Sequence, residues 1–242
     1  MTIQTETLMQ KAIEQAQQGL GRTAPNPPVG AVLVRDGNIV GEGFHPAAGQ
    51  PHAEIFALRA AGDLAQGADL YVTLEPCCHQ GRTGPCTEAI VEAGVSRVFV
   101  GAQDPNPMVA GKGIERLRGA AIEVVTDILN HECRRLIAPF AKHVTSGLPY
   151  VVLKSAMTLD GQTATLSGDS KWISCEASRN LVHQLRDQVD AIMVGSGTVV
   201  ADNPKLTTRL AEGGRDPVRI VMDGSLRTSP DALVYTQSSK AQ

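Results

Sequence analysis

At 242 residues the chain has room for one large domain or two ordinary ones, and either would bury a real core. Its 22 Lys and Arg against 25 Asp and Glu leave a formal net charge of −3, which argues against a phosphate-tracking nucleic-acid binder. The first residues are polar and amphipathic with no signal-peptide core, and no apolar run approaches a membrane span, so a cytoplasmic protein without a membrane partner is expected.

Leu8, Met9, Ala12, Ile13 and Ala16 recur at helical spacing, and Gly19 and Gly21 stop that helix. "VGAVLVRDGNIVGEGF" reads as a hairpin turning at Asp36-Gly37. Pro51 stands where the next helix should start, and "HAEIFALRAA" continues it. "ADLYVTL" is a strand, "TEAIVEAG" a helix closed by Gly94, and "RVFVGA" another strand. "GIERLRGA" and "IEVVTDI" follow as helix and strand. This order predicts an α/β layer with a partly parallel sheet.

"NHECRRLIAPFAKHVTSGLP" reads as one closing helix and a small-residue connection, placing a domain boundary near residues 146–149. The two expected domains are 1–146 and 147–242. The second block runs strand "YVVLKSAM", helix "EASRNLVHQLRDQV", strand "AIMVGS", strand "VRIVMD" and strand "ALVY" before a polar tail.

"TLEPCCHQGRTGPC" holds three of the five cysteines. The count is odd and the expected compartment is reducing, so a disulfide framework is disfavoured. His52, Cys77 and Cys86 offer the imidazole and thiolates that zinc accepts, leaving a fourth position for water. Glu54, two residues past His52, falls in the first helical turn, where a carboxylate can take a proton from that water and return it to a leaving ammonia. Cys78 and His79 compete with Cys77 by position. A purely structural site would use one of them as a fourth ligand and leave Glu54 dispensable.

"HAE" followed by "PC…C" resembles the zinc-dependent cytidine deaminase superfamily, whose signature is H-x-E with P-C-x-x-C. Here eight residues, not two, separate Cys77 from Cys86. That spacing, with "NPPVGAVLV" and "QDPNPMVAGKG", resembles the bifunctional riboflavin-biosynthesis deaminase/reductase family. The resemblance implies a three-layer deaminase domain with His52, Cys77 and Cys86 on zinc and Glu54 as proton shuttle. The implied substrate is 2,5-diamino-6-(5-phosphoribosylamino)pyrimidin-4(3H)-one. Asn26, in "APNPPVG", matches a pyrimidine-binding position, although its own chemistry equally suits a Pro-rich turn.

"YVVLKSAMTLDGQTA", "SGDSKWIS" and "VGSGTVVADNPKLTTR" resemble the reductase half of the same family, a dihydrofolate-reductase-like α/β domain using NADPH. Ala156, Trp172, Thr198 and Asp202 match cofactor-contact positions, and Ser170, Arg186, Leu206 and Arg209 match substrate contacts. Arg186 and Arg209 suit a phosphate by their fork geometry. Trp172 reads equally as core, Arg186 as a solvated helix residue, and "GSGT" as a plain turn. Family members continue past Gln242, so the resemblance implies a C-terminally incomplete reductase with little activity. Its open sheet edge would favour homo-oligomers.

Overall fold

The first sheet is written in alternation of period two. Ala31, Leu33, Leu70, Val72, Val98 and Val100 bury against one helical layer, and Val32, Val34, Tyr71 and Phe99 against the other. The computed structural model describes residues 3–79 and 84–239 and divides into two units, Met1–Val151 and Val152–Gln242. In the first unit, β1 (Gly30–Arg35), β2 (Asn38–Phe44), β3 (Asp69–Leu74), β4 (Arg97–Ala102) and β5 (Glu123–Val125) form one sheet in the order β2-β1-β3-β4-β5. β1 pairs antiparallel with β2 and β3, while β3-β4 and β4-β5 are parallel. Asp36 and Gly37 both take positive φ, 52° and 79°, as a two-residue turn matched to strand twist requires.

The helices α1 (Ile3–Gln17) and α5 (Asn130–Leu136) cover one face, and α2 (Ala53–Ala61), α3 (Cys86–Glu92) and α4 (Lys112–Gly119) the other. The result is three layers. Two expectations need correction. The helix after Pro51 begins only at Ala53, with His52 as its N-cap. The closing helix is two, α5 and α6 (Ala138–Ser146), meeting at Ile137. Pro139 has no N–H for the carbonyl of Arg135, and its ring would strike that carbonyl in a continuous helix.

α2 lies close on β2 because its contact face is small. A Cβ on Gly43 would come within 2.5 Å of the Ala53 carbonyl oxygen and 2.6 Å of the Ala57 nitrogen. The Gly43→Ala variant is therefore expected to lose about 1–3 kcal/mol of stability, the usual cost of overpacking, in a denaturant melt. A wild-type midpoint would contradict this packing.

The second unit holds α7 (Glu176–Gln188), β6 (Ala191–Gly195), α8 (Ser196–Asp202), β7 (Val218–Met222) and α9 (Leu233–Thr236). Its described sheet is the parallel pair β6-β7. Val199, Leu206, Ala232 and Val234 form its apolar cluster. "YVVLKSAM" is irregular rather than a strand, with Leu153 93% exposed and no ladder partner among the described residues. "ALVY" is the turn of helix α9, not a strand. Its Leu233 N–H donates to Asn203 Oδ1 at 2.8 Å, and that side chain supplies the partner a ladder would otherwise give.

Candidate metal centre and active site

Three chain segments meet at the ends of β3, α2 and α3. β3 stops at Leu74, and Glu75 and Pro76 lead directly to Cys77. Cys86 opens α3, where its backbone N–H has no intrahelical partner and donates to Cys77 Sγ at 3.4 Å. His52 occupies the N-cap of α2 but makes no capping bond, which frees its ring to face the cysteines. His52 Nδ1 lies 3.5 Å from Cys77 Sγ and 3.3 Å from Cys86 Sγ, and the three donor atoms all fall within 4.8 Å of one another.

The donor set fits a zinc ion. Tetrahedral bonds of about 2.3 Å to sulfur and about 2.0–2.1 Å to nitrogen hold such atoms about 3.5 Å apart. All five cysteines are free, so both sulfurs are available as ligands. Cys78 is half-buried and His79 exposed, and neither belongs to the converging group. Among the described residues the group offers three protein donors, the number an open, catalytic site keeps.

Glu54 is 3% exposed, and its Oε2 has no hydrogen-bond partner. A buried, unpartnered carboxylate oxygen costs free energy unless a ligand completes it. Burial pushes Glu54 up to about 7, and the neighbouring Cys77 acts in the same direction. Cys77 is held down at about 4, first by the Cys86 thiol and then by His52 and the Cys86 N–H. Cys86 is raised by Cys77 and by burial.

The structure also gives His45 a place beside this group. It is 2% exposed, with Nδ1 3.0 Å from the Pro51 carbonyl oxygen and Nε2 3.0 Å from Asn26 Nδ2. A carbonyl can only accept, so Nδ1 carries the proton and Nε2 accepts from the Asn26 amide. That fixes the amide and leaves Asn26 Oδ1 as an acceptor. The His45 ring also meets the His52 ring edge-on at 5.2 Å, which joins Asn26 to the metal-ligand group. The signal in the sequence was weak: a lone histidine directly after a strand.

The second unit gathers only some of its candidates. Arg186, Leu206 and Arg209 line a cavity of about 330 Å³ with Pro204 and Lys205. Arg186 is half-buried rather than solvated, its Nε has no partner, and its Nη1 shares the Thr207 carbonyl with Arg209. Two guanidiniums and an ammonium on one cavity suit an anion. Thr198 and Asp202 are exposed on α8, so "GSGT" opens a helix rather than a plain turn. Ala156 and Ser170 are half-buried in irregular chain. Trp172 is 71% exposed, stacked on Arg179 at 4.6 Å, and is not core. These five do not line the cavity.

A three-layer unit that sets one histidine, two cysteines and a buried glutamate at strand and helix ends defines the class of zinc-binding deaminases. Residues 2–102 match the family model for the cytidine and deoxycytidylate deaminase zinc-binding region, and residues 149–242 that for the RibD C-terminal domain. Riboflavin biosynthesis protein RibD of Bacillus amyloliquefaciens is 51% identical over 97% of this chain and 63% of its own length. The RibD of Escherichia coli is 48% identical over 97% and 67%. A solved Thermotoga maritima diaminohydroxyphosphoribosylaminopyrimidine deaminase/5-amino-6-(5-phosphoribosylamino)uracil reductase superposes with a TM-score of 0.90 at 48% identity, over 98% of this chain and 68% of that one. The chain belongs to the RibD family of riboflavin biosynthesis proteins. It spans 63% and 67% of the length of those two curated relatives.

Proposed function

We propose that the first unit, within residues 1–146, deaminates 2,5-diamino-6-(5-phosphoribosylamino)pyrimidin-4(3H)-one in riboflavin biosynthesis, with His52, Cys77 and Cys86 holding zinc. The observation that carries this reading is the buried Glu54 carboxylate with an unpartnered oxygen beside the three converging donors. Bound zinc would supply the Lewis acidity that makes water a nucleophile near neutral pH. Glu54 takes a proton from the attacking water as its oxygen adds to the amino-bearing ring carbon. The same carboxyl then passes that proton to the amino nitrogen, the C–N bond breaks and ammonia leaves, and the second proton of the water moves from the added hydroxyl to the adjacent ring nitrogen, which leaves a ring carbonyl. Asn26, oriented by His45, accepts a hydrogen bond from the pyrimidine.

Residues 147–242 carry reductase positions in this reading. Arg186, Arg209 and Leu206 take the substrate with its phosphate, with Ser170 beside it, and Ala156, Trp172, Thr198 and Asp202 take NADPH. The protein works in the cytoplasm on a small molecule, without nucleic acid or membrane, and its subunits associate into homo-oligomers. Among the described residues, no helix is long and apolar enough to cross a membrane.

Ammonia release and product mass decide the substrate. The phosphoribosylamino-pyrimidine should lose one amino group to a carbonyl, while cytidine and guanine stay unchanged. Turnover of cytidine or guanine in preference to the phosphoribosyl compound would overturn the substrate assignment.

A further inference from the structure

"TLEPCC" carries a second buried carboxylate that the proposed chemistry does not use. Glu75 is 4% exposed and accepts four backbone N–H groups. Its Oε2 receives Asp104 N at 3.1 Å and Gly111 N at 3.0 Å, and its Oε1 receives Gly113 N at 2.9 Å and Ile114 N at 3.3 Å. A carboxylate offers about four lone-pair sites, so this one is filled. No acceptor remains to move a proton or meet a ligand. All four donors come from residues 104–114, the "DPNPMVAGKGI" stretch that runs from the end of β4 into the first turn of α4.

The same stretch presses on the metal-ligand loop. A Cβ on Gly113 would sit 2.0 Å from the Pro76 carbonyl oxygen, so the first turn of α4 lies directly on the residue before Cys77. Gly111 holds a φ of 82°, a left-handed backbone that glycine adopts without strain, and from there it aims its N–H at Glu75. The Glu75 N–H in turn donates to the Ala102 carbonyl at 2.9 Å, extending the β3-β4 ladder to the residue that makes the clamp. Glu75 and Pro76 are thereby fixed from both sides one bond away from Cys77.

We propose that Glu75 is a positioning residue for the metal centre: its carboxylate locks the 104–114 segment onto Pro76 and so presets the Cys77 sulfur before the ion binds. This rests on the reading of Cys77 as a ligand. Partners that orient ligands from outside the coordination shell typically contribute about 10–100-fold in metal affinity or activity.

The test is Glu75→Gln, isosteric but placing an NH₂ against two N–H donors, with Glu75→Asp beside it. Zinc release to a competing chelator should speed up by about 10–100-fold in the folded variants, and the sulfur-to-metal charge-transfer band of the cobalt-substituted protein should shift. A merely structural role would lower the melting temperature and leave release rate and band at wild-type values, and that result would overturn the proposal. Should neither variant fold, the zinc-loaded wild type decides. The Gly111, Gly113 and Ile114 amides should exchange as slowly as β3 and β4 amides, and loop-like exchange there would overturn it. A wild-type cobalt protein with no thiolate band would instead sink the ligand assignment, a separate failure.

Discussion

Replacing Glu54 with glutamine is expected to lower ammonia release by about 10²–10⁴-fold while zinc content and folding stay near wild type. That range is the usual share of a positioned general acid-base group, and at about 1.36 kcal/mol per tenfold it removes about 3–5 kcal/mol of transition-state stabilisation. The size follows from the site. Glu54 is buried, its Oε2 has no protein partner, and it takes no part in the surface ion pairs Lys11–Glu14, Arg97–Asp69 and Arg116–Glu88. Glutamine keeps the shape and a hydrogen-bonding face but cannot accept and return a proton. A variant that keeps its turnover would show that the carboxylate is dispensable, as a structural zinc site requires.

The second large effect is on the metal. Cys86→Ser is expected to weaken zinc binding by more than about 100-fold, beyond what losing an outer partner costs, and to abolish ammonia release with it. Cys86 is fully buried, its Sγ stands 3.3 Å from His52 Nδ1, and serine offers a shorter, harder oxygen in its place. A serine hydroxyl left unsatisfied there adds about 1–3 kcal/mol of destabilisation. Cys78→Ser is the matched control, because Cys78 stands outside the converging group. Metal analysis of the purified proteins checks both. Equal zinc loss in the two variants would mean that the neighbouring cysteine, not the geometry described, holds the ion.

The first unit was readable in the sequence because its rules are local. The apolar run "GAVLV", the Asp36-Gly37 turn and the stop at Gly94 each fix an element without reference to distant residues, and the sheet forms as they imply. The metal group was readable for another reason: an imidazole and two thiols in the "HAE" and "PC…C" patterns are the ligand types that zinc accepts. His45 was not readable, because its role depends on the Pro51 carbonyl and Asn26 reaching it in space. Glu75 was hidden in the same way. Nothing within "TLEPC" says that four amides from residues 104–114 will close on one carboxylate. In the second unit, "YVVLKSAM" and "ALVY" have strand composition, but a strand exists only with a partner, and among the described residues neither finds one. The break at Ile137 was legible in Pro139, which stands in the helical run.

X-ray absorption at the zinc edge of the purified, metal-loaded protein tests the central arrangement most directly. It should return two sulfur neighbours at about 2.3 Å and one imidazole nitrogen at about 2.0–2.1 Å, with one further light atom completing four. A shell with three sulfurs, or with a fourth protein ligand closing the ion off, would contradict an open site served by Glu54.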